Sequence, residues 1–378
     1  MKTQFQELVR FLCLLCSALW AAAPRTSAQS PPGLGLNLYP GVSITGAVGT
    51  VCAIQATANA AQTNGWTCLA LVQLPATNYL WVDTSTTAAT GQRFYRAVVT
   101  ATNLAFILPG AFTMGSPTSE ALRGSDETQH VVTISRGFWM GEYLVTQADY
   151  QAVAGSNPST FQGETTLPVE TVSWEDATNY CALRTEQEQA AGLIPANYVY
   201  RLPTESEWEY ACRAGTTTAF HLGNDLDSGQ ANFEGQYEYD AALGEIDDAS
   251  GIYLQKTTPV GSYGPNGWGL YDMIGNVFEW CQDRYGPYST GPATDPQGAS
   301  SGPYRVIRGG SWYHNAQYCR SALRRYYPPG GASSFSSFIG FRVVLAQGQP
   351  WARDGFREDR VEGRFFVDNY IQMYIICP

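Results

Sequence analysis

PNGWGLYDMIGNVFEWCQD, residues 265–283, is the stretch on which the fold turns. Asp272 and Glu279 flank its central Gly275-Asn276 pair, which reads as a tight turn. Carboxylates and carbonyls gathered at such a turn are the oxygen chemistry that a hard divalent cation requires. The same residues have a plainer use, because Glu279 can equally cap or hydrogen-bond nearby backbone amides.

Related punctuation appears on both sides. GAFTMGSP (110–117), GFWMGEYLVTQADYQ (137–151) and RLPTESEWEYACRAG (201–215) come before it, and RVIRGGSW (305–312) and IGFRVV (339–344) come after. Thr204 and Glu207 form a capping box, with Trp208, Ala211 and Cys212 on one face and Gly215 as the stop, so a helix is predicted there. A second helix is predicted after Ser173, through WEDATNYCALRTEQEQAAG (174–192), with Glu175 and Asp176 in its first turn and Gly192 ending it. The remainder reads as short strands and loops, in keeping with 38 Gly and 21 Pro beside 23 Tyr, 16 Phe and 10 Trp.

In this order the segments resemble the sulfatase-modifying-factor family, whose best-known member is the formylglycine-generating enzyme. The resemblance covers about Phe106 to Ala346. It implies an α+β, irregular, loop-rich domain with a C-type-lectin-like fold. It also implies structural calcium, held by the Asp272 and Glu279 side chains and the Gly275 and Val277 carbonyls. A second calcium position would use Asn232 and Phe233, but Ile252 stands where its acid should be.

The family's chemistry is implied as well. Formylglycine-generating enzymes bind copper(I) through two cysteines five residues apart and use oxygen to convert a cysteine of a client sulfatase to formylglycine. Soft thiolates suit that ion and leave a coordination position open. Counted from Gly309-Gly310-Ser311, Cys319 holds the second position and His314 the first. The implied catalytic set is therefore Cys319, His314 as substitute ligand, and Ser311, with Trp312, Tyr313 and Tyr318 contacting substrate. Cys181 and Cys212 match family disulfide positions whose partners here are Val343 and Arg324, so both are expected free and buried.

The competing reading makes Cys319 a small buried hydrophobe and the chain a non-catalytic ligand- or protein-binding module. Its contact loops would carry Tyr313, Tyr318, Tyr326 and Tyr327, residue types that dominate recognition surfaces.

Composition narrows the alternatives. Thirty-three acidic against 22 basic residues give a net charge of -11, and no dense Lys/Arg cluster offers a surface for nucleic acid. His130, His221 and His314 are widely spaced, and no H-E-x-x-H motif occurs.

Residues 1–28 read as a signal peptide, with Lys2 and Arg10 ahead of an apolar run and Thr26-Ser27-Ala28 at its end. A secreted or periplasmic protein without a membrane span is expected, its partner a sulfatase or another exported protein. Residues 37–100 read as a small β-sandwich-like module carrying Cys52 and Cys68, either bridged or as two buried thiols. The family domain is placed at 104–347. The tail, 351–378, turns charged and then aromatic, with no role assigned.

Overall fold

In the computed structural model of the chain, the described residues are 39–60, 65–85, 93–99, 103–242, 245–248, 251–330 and 336–348. The expected signal peptide and the tail lie outside them.

Five short strands come first: β1 (Gly41–Thr45), β2 (Val51–Thr57), β3 (Thr67–Gln73), β4 (Asn78–Val82) and β5 (Phe94–Val99). β1 pairs with β4, and β2 runs between β3 and β5, all antiparallel. β2 is buried along its whole length instead of alternating. One of its faces, with Cys52 and Ile54, packs on Ile44 and Leu74. The other meets the main domain, where Val51 joins Leu104, Trp139 and Ile194, and Gln55 Nε2 donates to the Gly192 carbonyl at 2.5 Å. A strand covered on both faces reads as a continuous apolar run.

Cys52 lies opposite Val72, and Cys68 opposite Gln55. The two are three rungs out of register, roughly 10 Å at about 3.3 Å per residue, too far for a disulfide. Both thiols are free and buried.

The main domain is α+β, as expected. Its strands are β6 (Leu104–Ile107), β7 (Gly110–Met114), β8 (His130–Ile134), β9 (Phe138–Gly141), β10 (Tyr198–Arg201), β11 (Tyr237–Asp240), β12 (Glu245–Asp248), β13 (Phe278–Arg284), β14 (Ala293–Thr294), β15 (Arg305–Arg308), β16 (Arg325–Tyr327), β17 (Ile339–Gly340) and β18 (Val344–Gln347). Three sheets carry the core, in the orders β10-β18-β9-β6, β16-β15-β13-β17 and β14-β8-β7. Long stretches between them are irregular.

Among the described residues the α-helices are α1 (Gln147–Ala154), α2 (Trp174–Ala190) and α3 (Glu205–Arg213). The capping box expected for α3 is present: Thr204 Oγ1 accepts from Glu207 N at 3.1 Å, and Glu207 Oε2 accepts from Thr204 N at 2.9 Å. α2 begins with the same device at Ser173, reciprocated by Asp176. α1, not predicted as a helix, is started by Thr146 and Asp149 in the same way.

α3 is buried nearly all round, charged residues included. Arginines make this tolerable. Arg324 binds both Glu205 oxygens at 2.7 and 2.8 Å, Arg308 meets Glu209, and Arg201 clasps Glu207. Buried carboxylates persist only when they are paired and hydrogen-bonded in this manner.

Candidate functional site

The turn at 272–276 is tight. Asp272, Gly275 and Asn276 have φ of 53°, 79° and 63°. A Cβ on Gly275 would come within 2.5 Å of the Asn232 carbonyl oxygen, so only glycine fits. Asn276 pins the turn from the other side, exchanging side-chain hydrogen bonds with Thr258 N and O, each at 3.1 Å.

The expected calcium ligands have other partners. Asp272 Oδ2 accepts from Gly261 N at 2.7 Å, and burial pushes its carboxyl up to about 6. Glu279, at the start of β13, gives both oxygens to Arg342, at 2.7 and 2.8 Å. Arg342 also donates to the Gly141 and Tyr271 carbonyls. A guanidinium thus supplies positive charge at Glu279, and the Asp272 and Glu279 side chains are both engaged within the chain. The plainer reading, Glu279 bonded to backbone amides, is not what is found: its carboxylate goes to Arg342, and Asp272 is the acid that binds a backbone amide. Around the second position, Asn232 Nδ2 donates to the Lys256 carbonyl at 3.0 Å and Phe233 is core. No group of three or more His, Cys, Asp or Glu is placed to hold a metal among the described residues.

Cys319 ends a 3-10 turn, Ala316–Cys319. It is 0% exposed and packs with Trp208, Cys212 and Met273 in one of the two main core clusters. Gly310, at φ 77°, leaves the room it needs, because a Cβ there would lie 2.5 Å from the Cys319 sulfur. Burial drives the Cys319 thiol far above its usual range, with the Gly275 N–H only partly offsetting it. The neighbouring Cys212 is pushed up to about 11 for the same reason. Metal binding requires thiolate, and this environment favours the thiol.

His314 belongs to different surroundings. Its ring lies among Phe278, Tyr313, Tyr318 and Phe338, with centroids 5.0, 5.5, 5.0 and 5.1 Å away. Its Nδ1 is 2.7 Å from Ser311 Oγ. Burial, and secondarily the Arg325 charge, lower its pKa to about 4, so the ring is neutral near pH 7. The fold therefore joins Ser311 to His314 and seals Cys319 into the core. Of the metal pair that the resemblance implied, the His314 ring sits among aromatic rings with Nδ1 at Ser311, and the Cys319 sulfur packs beneath Gly310.

The expected substrate contacts divide. Trp312 is an anchor, not a contact surface: it is buried, its Nε1 donates to Ser337 O at 3.0 Å, and Phe161 meets it edge-on. Tyr313 is 54% exposed and Tyr326 46%. Tyr318 is half-buried beneath the Arg325 guanidinium, 5.2 Å away. Cys181 and Cys212 are free and buried as expected, and Arg324 spends itself on Glu205. Sequence reading missed Glu234, whose N–H donates to the His314 carbonyl at 2.9 Å, and Arg325. Two cavities of about 420 and 470 Å³ lie elsewhere, one beside Arg136 and Arg201, the other beside Tyr143 and Tyr271.

Fold and site together define a loop-rich α+β scaffold, stapled by buried arginine–carboxylate pairs, with a serine–histidine contact at its aromatic surface. The chain belongs to the sulfatase-modifying factor enzyme 1-like domain family, whose model matches residues 91–347. That match begins just before β5, a strand of the N-terminal sheet. The chain is 38% identical over 196 residues to the formylglycine-generating enzyme of Streptomyces coelicolor, a span covering 49% of this chain and 55% of that protein. It is 30% identical over 301 residues to the formylglycine-generating enzyme of Mus musculus, covering 64% of this chain and 75% of that one. It thus spans about half the length of the Streptomyces relative. Among solved structures, PvdO from Pseudomonas aeruginosa matches with a TM-score of 0.53 and 28% identity, covering 64% of this chain and 93% of PvdO. Treponema denticola variable protein 1 matches with a TM-score of 0.51 and 26% identity, covering 66% and 95%.

Proposed function

We propose that this chain is a non-catalytic binding module built on the sulfatase-modifying-factor fold, and that the aromatic surface within residues 311–327 meets its ligand. The observation that carries this is the Cys319 sulfur, fully buried against Gly310. Copper(I) oxidation chemistry needs an open coordination position, and a sulfur sealed in a core does not offer one. Exposed tyrosines supply contact area with few rotamers to freeze. Export through residues 1–28 and an exported partner belong to the same proposal.

The rival reading, oxidation of a sulfatase cysteine, draws support from the names of the Streptomyces and mouse relatives. It requires His314 and Cys319 on one ion.

Anaerobic copper(I) titration against a competing chelator separates the two. The module takes up no stoichiometric copper, matches its Cys319→Ser variant, and leaves a cysteine peptide unoxidised in air. One tightly bound equivalent that Cys319→Ser loses, with oxygen-dependent aldehyde formation on the peptide, contradicts the proposal.

A further inference from the structure

Ser311 fixes which nitrogen of His314 carries the proton. A hydroxyl has one proton to give and two lone pairs to share. The Tyr313 N–H donates to Ser311 Oγ at 3.4 Å, and His314 Nδ1 lies 2.7 Å from the same oxygen. Among the described residues the buried hydroxyl has no acceptor other than Nδ1, so its proton is assigned there. A neutral imidazole accepting at Nδ1 carries its hydrogen on Nε2. That N–H donates to no described residue, and it is not among the sealed, unpaired polar atoms.

Polar groups lie in the same region. Glu234 is tied to the His314 backbone and half-buried. The Tyr253 hydroxyl lies within electrostatic reach of both the Glu234 carboxylate and the Tyr313 hydroxyl. Tyr313 stands among them, mostly exposed, with Phe338 stacked 5.9 Å away.

We infer that Tyr313, His314, Glu234 and Tyr253 form a site for a neutral sugar ring, an inference that rests on the non-catalytic reading above. Tyr313 offers a flat apolar face to the C–H side of a pyranose. His314 Nε2–H donates to a hydroxyl oxygen, and Glu234 accepts a charge-assisted hydrogen bond from a neighbouring hydroxyl. Each sugar hydroxyl is donor and acceptor at once, so a polyol answers this alternating set. A peptide, with one N–H and one C=O per residue at fixed spacing, matches it less well. The net charge of -11 also disfavours an anionic ligand.

The test is an array of neutral oligosaccharides of hexose and N-acetylhexosamine units, probed with the labelled chain, followed by calorimetric titration of the best-bound sugar. His314→Phe keeps a ring without the donor and weakens binding about tenfold, whereas His314→Gln, which retains a donor, stays within about threefold. Tyr313→Ala, at an exposed position, abolishes binding. Nitrogen-15 NMR of the imidazole shows the proton on Nε2. Three results overturn the inference: no sugar bound above the Tyr313→Ala background, equal binding by His314→Phe, or peptides bound at this surface in place of sugars. Copper uptake by the same sample is a separate readout, and it overturns the non-catalytic reading instead.

Discussion

The Arg342 guanidinium holds both oxygens of Glu279, at 2.7 and 2.8 Å, with neither residue exposed to solvent. The pair links β13 to the segment between β17 and β18, and Arg342 reaches on to the Gly141 and Tyr271 carbonyls. Removing one partner strands the other charge in the core. Arg342→Met is therefore expected to lose about 3–5 kcal/mol in urea unfolding. A loss under about 1 kcal/mol would mean that water or another cation takes over at Glu279.

Metal removal follows from the same pair. With Arg342 neutralising Glu279 and Asp272 occupied by Gly261 N, EGTA is expected to leave the melting temperature unchanged. A clear drop that added calcium restores would return Asp272, Gly275, Val277 and Glu279 to the role of ion ligands.

Two buried carboxyls set the pH dependence. Burial, then the nearby Glu205 charge, push Asp283 up to about 8, while Asp272 is held at about 6 by burial. A carboxyl whose folded pKa lies above its unfolded value, near 3.9, stabilises the fold while protonated. That contribution is full below about pH 4 and is lost as pH rises through 6 and then 8. Glu127 and Glu205 are shifted the opposite way by their arginines, and their contribution is lost as pH falls through their lowered pKa values. Melting temperature is thus expected to decline from pH 6 to 9. Asp283→Asn, which keeps an acceptor for Glu205 N, should flatten the decline, and an unchanged slope would count against it.

Gly310 tests the packing around Cys319. Alanine there meets both a positive φ and the sulfur, so Gly310→Ala is expected to cost about 1–3 kcal/mol. Adding Cys319→Ala should recover part of this loss, because the clash with the sulfur goes while the 3.0 Å approaches to the residue 319 backbone and the positive-φ strain stay. Strict additivity in the double-mutant cycle would place the sulfur elsewhere.

Local signals were legible in the sequence. Thr204 with Glu207, and Ser173 with its acidic first turn, announce helices because a cap acts within four residues. The family segments announced the class of the fold. Charge pairing was not legible: Arg342 meets Glu279, and Arg324 meets Glu205, across 63 and 119 residues, which no spacing rule connects. The surroundings of His314 and Cys319 were hidden for a related reason. Five residues of separation give His314 and Cys319 proximity in sequence, but side-chain direction is decided by Gly310 and by the aromatic group around Phe278. Glu279 was readable as an acid near a turn, yet whether it faces a metal or an arginine depends on Arg342.

Native-state alkylation resolved by mass spectrometry tests the central claim, that the Cys319 sulfur is a sealed core thiol, most directly. At pH 8 with iodoacetamide, Cys319 should stay unmodified while the protein is folded and react once it is denatured. Rapid labelling of Cys319 in the folded chain, blocked by copper(I), would contradict the account.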